Sequence, residues 1–328
     1  MFLVTGATGF VGSAVVRQLL DRGAAVRVLA RAGSDRRNIS GLPVEVIDGD
    51  LLKPETLSPA VKGCEGVFHV AADYRLWTRV PAAMFRANVD GSRGLVEAAS
   101  EAGVRRIVYT SSVAVLGIVP GGVADEETPV SYTDMIGPYK QSKFRAEEAV
   151  RELITKSGAP VVIVNPSTPV GPRDIKPTPT GRMFVEAAMG KMPAYVDTGL
   201  NIAHVDDVAA GHLLAYDRGQ VGERYILGGE NHSLADILAM VAGCVGRKPP
   251  RIKIPHNAIL PIAVVAEFWT RMTGGDEPFV TIDGVRMAKK KMFFSAAKAV
   301  SALGYTPRPA TDAVDDAIRW FRDNGYLE

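Results

Sequence analysis

Along the first half of the chain, short unbroken apolar runs alternate with longer stretches in which apolar residues return every three to four positions. A continuous apolar run of four to six residues predicts a strand buried on both faces. A three-to-four spacing predicts a helix with one buried side. On this basis strands are predicted at Phe2–Thr5 and at residues 25–30, 44–47, 66–70, 106–111 and 161–165. Helices are predicted at 11–22, 84–102 and 139–156, with a short one near 54–61. In the first helix Val15, Val16, Leu19 and Leu20 fall on one side, and Arg17, Gln18 and Asp21 on the other. Regular strand–helix alternation implies right-handed crossovers. The expected fold is α/β, a doubly wound parallel sheet covered on both faces, with its ligand crevice at the C-terminal ends of the strands.

The pattern changes at Pro166. Pro166, Pro169, Pro172, Pro177 and Pro179 punctuate a stretch with few strand or helix signals, the profile of a long functional loop. Beyond it, helices are predicted near 183–189, through Tyr216, at 234–245 and at 296–303 with Ser295 as its cap. A strand is predicted at 223–228, and a last amphipathic helix ends near Trp320 and Phe321.

Composition narrows the function. With 328 residues and 47% apolar content, a large core is available. A net charge of +2 argues against nonspecific nucleic-acid binding. No cysteine–histidine cluster suggests a metal. The two cysteines, Cys64 and Cys244, read as buried reduced thiols, which suits the cytoplasm. The first strand begins at residue 1 or 2, leaving no room for a targeting segment. The longest apolar stretch, 258–266, is broken by Pro261 and falls far short of the roughly 20 residues a membrane span needs. It is expected to be a packed helix of a smaller lobe; the second reading is a surface helix facing a lipid substrate.

Two local patterns carry chemistry. Thr5-Gly6-Ala7-Thr8-Gly9-Phe10-Val11-Gly12 links the first strand to the first helix. Gly6 permits a tight turn, Gly9 lets the backbone approach a pyrophosphate, and Gly12 lets the helix pack closely on its strand. The helix start offers free amides to the phosphates. The second pattern is Tyr139-Lys140-Gln141-Ser142-Lys143. Its phenol and ammonium, four residues apart, share a helix face. A nearby fixed cation favours the phenolate and brings a phenol towards acid–base use.

Together these patterns resemble the extended short-chain dehydrogenase/reductase family, also called the NAD-dependent epimerase/dehydratase family, over essentially the whole chain. Asp48-Gly49-Asp50-Leu51 resembles the family's adenine-side segment. Phe68-His69-Val70-Ala71-Ala72 resembles the end of strand four beside the cofactor, and Thr110-Ser111-Ser112 the segment with the catalytic serine, Ser112 aligning best. Asn165-Pro166-Ser167-Thr168 resembles the loop that touches the nicotinamide amide. Within the family, His69-Val70-Ala71-Ala72 and Asn165-Pro166 with Val170-Gly171-Pro172 are most similar to the dihydroflavonol-4-reductase branch. Residues 177–182 and 195–201 are closer still to a hopanoid-associated sugar epimerase group.

The resemblance implies a Rossmann domain at 1–165, with 166–328 mainly a substrate-binding lobe from which some segments return to the first domain. It implies Ser112, Tyr139 and Lys143 as catalytic residues. Gly6, Thr8, Gly9, Phe10, Val11, Gly12, Asp50, Leu51, Ala71, Ala72, Pro166, Ser167 and Thr168 would join Tyr139 and Lys143 around the cofactor. In the reaction so implied, Tyr139 exchanges a proton with the substrate oxygen, Lys143 lowers the phenol's pKa and holds the nicotinamide ribose, and Ser112 holds the substrate oxygen. Asn88 would support a water-linked proton path, or simply cap its helix. A homodimer through the helices at 84–102 and 139–156 is implied as well.

Cofactor choice can be read from charge. The second strand ends Val28-Leu29-Ala30-Arg31, with no acid to receive ribose hydroxyls. Arg31, backed by Arg36, would grip a 2′-phosphate, which predicts NADP(H). Tyr74, Trp77, Arg173 and Arg182 are the substrate-side candidates. His204, near Asp206 and Asp207, reads as structural. The expected partner is a small carbonyl, alcohol or sugar-type substrate, with no nucleic acid and no membrane span. Three functions remain in competition: an NADP(H)-dependent carbonyl reductase, a sugar epimerase that recycles its nicotinamide, and a nicotinamide-binding sensor without turnover.

Overall fold

The computed structural model describes residues 1–273, 278 and 280–328. Its strands are β1 (Phe2–Thr5), β2 (Val26–Ala30), β3 (Glu45–Asp48), β4 (Gly66–His69), β5 (Arg106–Thr110), β6 (Val161–Pro166), β7 (Thr168–Val170), β8 (Ala194–Tyr195), β9 (Gly199–His204), β10 (Arg224–Leu227), β11 (Glu230–Ser233) and β12 (Ile252–Lys253). Its helices are α1 (Phe10–Asp21), α2 (Leu57–Val61), α3 (Pro81–Phe85), α4 (Gly91–Glu101), α5 (Gly137–Ser157), α6 (Pro179–Ala188), α7 (Val205–Arg218), α8 (Leu234–Cys244), α9 (His256–Thr273), α10 (Ile282–Ala288), α11 (Ala297–Leu303) and α12 (Ala310–Asp323).

Seven parallel strands form the central sheet in the order β10-β6-β5-β4-β1-β2-β3. The doubly wound sheet expected from the sequence is therefore present. Adjacent residues of each strand face opposite layers. Val4, Phe68, Val108 and Val164 pack with α1, α7 and α11, while Leu3, Val67, Ile107 and Ile163 pack with α2, α4 and α5. Both faces being buried is why these strands read as unbroken apolar runs. The chain winds outward from β1 to β3, then reverses to β4. The crevice between the C-terminal ends of β1 and β4 is the switch point where such sheets bind ligands.

The smaller layer carries the antiparallel pair β11–β9, with β7 parallel on the other side of β9. Its core holds Val170, Phe184, Ile237, Val241, Val314, Ile318 and Phe321, from β7, α6, α8 and α12. Chain order and layer do not coincide. β10 pairs with β6 at the edge of the central sheet, and α7 packs beside α1.

Several elements depart from expectation. The helix expected at 84–102 is broken into α3, a π-helical turn at Arg86–Asp90, and α4. Asn88 in that turn caps nothing: its amide holds both backbone groups of Asp73 and donates to Ser142 Oγ. The proline-rich stretch contains β7 and the start of α6, whose N-cap Thr178 accepts from the Gly181 amide. Cys64 is buried, but Cys244 is half-buried and donates to Asp315. α9 runs through Pro261 and is not a packed apolar helix. It turns Ala263, Glu267 and Thr270 inward and leaves Val265, Phe268, Trp269 and Met272 exposed.

Candidate active site

The turn after β1 is built by close backbone approach. Gly6 has φ +69°, and a Cβ there would lie 2.6 Å from the Ala71 nitrogen on the opposite wall of the crevice. A Cβ on Gly12 would lie 2.2 Å from the Gly6 carbonyl oxygen, so only glycine lets α1 start this near β1. The Gly9 amide donates to that same carbonyl at 2.9 Å, and α1 begins at Phe10 and Val11 with no side chain capping its amides. Uncapped amides at a helix start form an anion site. Ala71 donates its amide to Thr5 Oγ1, and exposed Ala72 follows at the rim. Asn38 also shapes this turn. Its buried amide donates to the carbonyls of Thr8, Gly9 and Arg173, tying the turn to the loop after β7.

On the adenine side, Asp50 Oδ1 accepts from the Leu52 amide, and Leu51 packs where Gly91 leaves room. Arg31 is exposed at the end of β2. Arg36 is paired with Asp48, and the Arg37 guanidinium grips the Asp35 carboxylate, Nη2 at 2.7 Å and Nε at 3.1 Å from its oxygens.

The reacting end lies where β5, β6 and α5 meet. Ser112 caps the turn after β5, its Oγ accepting from the Ala114 amide at 3.1 Å. Burial pushes the Tyr139 phenol above its ordinary pKa, and hydrogen bonding from the Ser112 side chain pulls it back. The two hydroxyls are thus neighbours. The Ser111 Oγ is buried with no hydrogen-bond partner among the described residues. Lys143 is buried and donates to the Thr110 carbonyl at 2.8 Å and the Tyr109 hydroxyl at 3.3 Å. Burial brings its pKa down to about 8, with Glu147 acting the other way. The influence countering burial at Tyr139 is therefore Ser112, while the Lys143 ammonium is turned towards β5.

Several supporting contacts had no local signal in the sequence. Asn165 donates to the Ser112 carbonyl at 3.0 Å and to Glu147 Oε2 at 3.2 Å. Glu147, one turn beyond Lys143, is buried and also paired with Arg151 and Arg224. Behind Lys143, His69 joins Thr5 Oγ1 at 2.7 Å and Ser92 Oγ at 2.9 Å, and Ser92 hydrogen-bonds Tyr109. Burial holds His69 down at about 3, so its ring is neutral. The Asn88 amide bonds Ser142 Oγ, which donates to the Tyr139 carbonyl. These contacts join residues far apart in the chain, beyond the reach of periodicity or motif spacing.

On the substrate side, Tyr74 is partly exposed; burial of the rest of it, then the charges of Asp174 and Asp73, push its phenol above the ordinary pKa, with Arg182 acting the other way. Trp77 lies 5.9 Å beneath the Arg79 guanidinium. Arg173, at φ +79°, has its guanidinium on Asp206, which places it beside the glycine turn. Its neighbour Asp174 is buried and receives two backbone bonds and a hydroxyl bond from Thr178; burial raises it to about 6. His204 caps α7 and bonds Asp316 and Arg308, a structural place. Pro166 pairs with Leu227 across the sheet, and Thr168 opens β7. Ser167 between them has a buried hydroxyl with no partner among the described residues, and the Asn165 side-chain oxygen Oδ1 is likewise buried without one. No cluster that could hold a metal occurs among the described residues.

The glycine cradle, the free helix start and the unmatched polar atoms at the end of β6 fit a nicotinamide dinucleotide lying along the strand ends. Such an arrangement defines a Rossmann-type oxidoreductase of the extended short-chain kind. Residues 2–228 match the NAD dependent epimerase/dehydratase family, and the chain belongs to it. It is 46% identical, over its full length and 96% of the relative, to a Synechocystis sp. protein carrying the name dihydroflavonol 4-reductase. It is 35% identical to the sterol demethylase protein B of Methylococcus capsulatus, over 99% of both chains. Among solved structures it is similar to gox2253, with 57% identity, a TM-score of 0.90, and coverage of 100% of this chain and 99% of that one.

Proposed function

We propose that the chain is an NADP(H)-dependent carbonyl reductase or alcohol dehydrogenase. Supporting this reading most directly is the meeting of the Tyr139 phenol with Ser112 at the end of β5, on the same helix as buried Lys143. A bound nicotinamide supplies or accepts the hydride. Ser112 would hold the substrate oxygen. Tyr139 would give that oxygen a proton as charge builds on it, and take the proton back in the reverse direction. Lys143 holds positive charge near the reacting atoms, and Asn165 fixes Ser112 through its carbonyl.

Gly6, Thr8, Gly9, Phe10, Val11 and Gly12 would cradle the pyrophosphate, with Asp50, Leu51, Ala71 and Ala72 along the adenosine half. Pro166, Ser167 and Thr168 would face the nicotinamide amide. Arg31 favours a 2′-phosphate because it is exposed at the end of β2, with no acid beside it in the sequence. Arg36 and Arg37 are engaged with Asp48 and Asp35. The lobe built mainly from 166–328 would take the substrate. Tyr74, within the charge influence of Arg182 and Asp174, would belong to its mouth, whereas Arg173, whose carbonyl Asn38 ties to the glycine turn, would serve the phosphate side. The reductase names among the relatives favour net reduction of a carbonyl compound over sugar epimerisation.

The test is to mix the protein with NADPH or NADH and a panel of aldehydes, ketones, 3-oxo acids, thioesters and sugar nucleotides. Net loss of reduced cofactor that is faster with NADPH is the expected result. Isomer formation without net loss would establish the epimerase instead, and binding without turnover a sensor.

A further inference from the structure

We propose that α9 is a docking surface for an anionic lipid membrane. This rests on the helix and its flanks, independently of the reaction assigned above.

The amphipathicity of α9 is inverted. Ala263, Glu267 and Thr270 face the protein, and Glu267 accepts the Ile282 amide at 2.7 Å. Ile262, Val265, Trp269 and Met272 fall at i, i+3, i+7 and i+10, one stripe of the helix, with Phe268 beside it. Phe268, Trp269 and Met272 are 64%, 68% and 72% exposed. Scattered apolar side chains on a surface are ordinary; a helical stripe of the largest ones marks a contact surface.

Charge decides the occupant. Residues 247–291 hold nine Lys and Arg against four Asp and Glu, a balance of +5 in a chain whose total is +2. The remainder of the protein is therefore at −3. Exposed Arg247, Lys248 and Arg251 precede the helix, and exposed Lys289, Lys290 and Lys291 follow α10, which packs against it. Of the acids in the segment, Glu267 is buried and Asp283 pairs with Arg286; outside it, Asp197 meets Lys253 and Lys291. Lys289 donates to the neutral Asn257 at 3.0 Å. A helix presenting Trp, Phe and Met between two basic flanks suits the interface of an anionic bilayer, where rings enter the acyl boundary and cations meet headgroups. No described helix is long and apolar enough to cross a membrane, so α9 would lie in its plane. The surface adjoins the site. A Cβ on Gly137, two residues before Tyr139, would lie 3.2 Å from Asp283 of α10. Docking would bring the cleft mouth to the lipid.

Flotation with extruded vesicles tests this. The full chain is expected to float with phosphatidylcholine vesicles containing about a third phosphatidylglycerol, and at least about tenfold less with pure phosphatidylcholine. Raising salt from about 0.1 M to about 1 M, which shortens the screening length from about 10 Å to about 3 Å, should release it. Trp269 emission should shift to the blue on binding. Phe268→Ser with Trp269→Ser, and separately Met272→Ser, should lose flotation while keeping the thermal midpoint and cofactor binding. The proposal is overturned if the wild type does not float, or if the variants float equally well. It is also overturned if the wild type is a dimer that these substitutions dissociate, since the stripe would then belong to a second copy.

Discussion

At the scale of single residues, hydrogen bonding from Ser112 is the influence that counters burial at the Tyr139 phenol, whereas the sequence assigned the lowering of its pKa to Lys143. Tyr139→Phe removes the proton donor without altering the cofactor cradle. Turnover is expected to fall by about 10²–10⁴-fold, with cofactor affinity, read by fluorescence titration, changed less than about threefold, within the scatter of a contact outside the phosphate cradle. Full activity in that variant would remove the acid–base role. Ser112→Ala should cost about 10²–10³-fold, the usual loss for one donor to a developing oxyanion, while Ser111→Ala should cost little because its hydroxyl meets no partner. Sequence alone left these two serines hard to separate. Arg31→Glu should invert the preference for NADPH over NADH, seen as a ratio of kcat/KM values, since a carboxylate there repels a 2′-phosphate and accepts from ribose hydroxyls. Glu147 escaped notice, and Asn165 was read only as part of the segment facing the nicotinamide, for a physical reason. Their bonds join β6 to α5 and to the turn after β5, and no local pattern encodes such a meeting.

At the scale of elements, legibility follows burial. Strands buried on both faces read as apolar runs, and β1, β4, β5 and β6 were found within a residue or so at each end. β7, β9 and β11 form a small sheet held by pairings between distant segments, and β8 pairs only with distant β12. Their residues carry no comparable run. The π-helical turn inside 84–102 was likewise invisible, because it depends on Asn88 reaching Asp73 and Ser142. The β1–α1 unit was read correctly because its constraint is local. Gly12→Ala puts a methyl 2.2 Å from the Gly6 carbonyl oxygen, so α1 must move off β1. Overpacking of this kind costs about 1–3 kcal/mol. It should lower the denaturation midpoint and weaken dinucleotide binding together. The opposite pattern, unchanged binding with lowered stability, would show that the close approach serves packing alone.

At the scale of the whole molecule, the buried ionisable groups set how stability follows pH. Burial lowers His69 to about 3 and His212 to about 4. Both rings stay neutral in the fold at pH values where the unfolded chain, near 6.5, already binds protons. The unfolded state gains protons first, so stability falls as pH drops from about 6.5 towards 4. Asp174 works the other way. Raised to about 6, it is protonated in the fold before it is in the unfolded chain, and so adds stability as pH falls from about 6 to about 4. The two imidazoles outweigh one carboxylate, and a net loss in acid is expected in urea titrations. Lys140 and Lys143, both lowered to about 8, lose protons in the fold before the unfolded chain does, so stability should rise between about pH 8 and 10.5. His212 is a probe of the acid effect that is not itself one of the reacting groups, its Nδ1 donating to the Val208 carbonyl and its Nε2 meeting Thr110 Oγ1. His212→Gln can keep a donor and an acceptor but cannot charge. Its acid limb should be flatter than the wild type by about 3 kcal/mol between pH 6.5 and 4. A variant whose acid limb superimposes on the wild type would mean that His212 protonates in place and that acid sensitivity arises elsewhere.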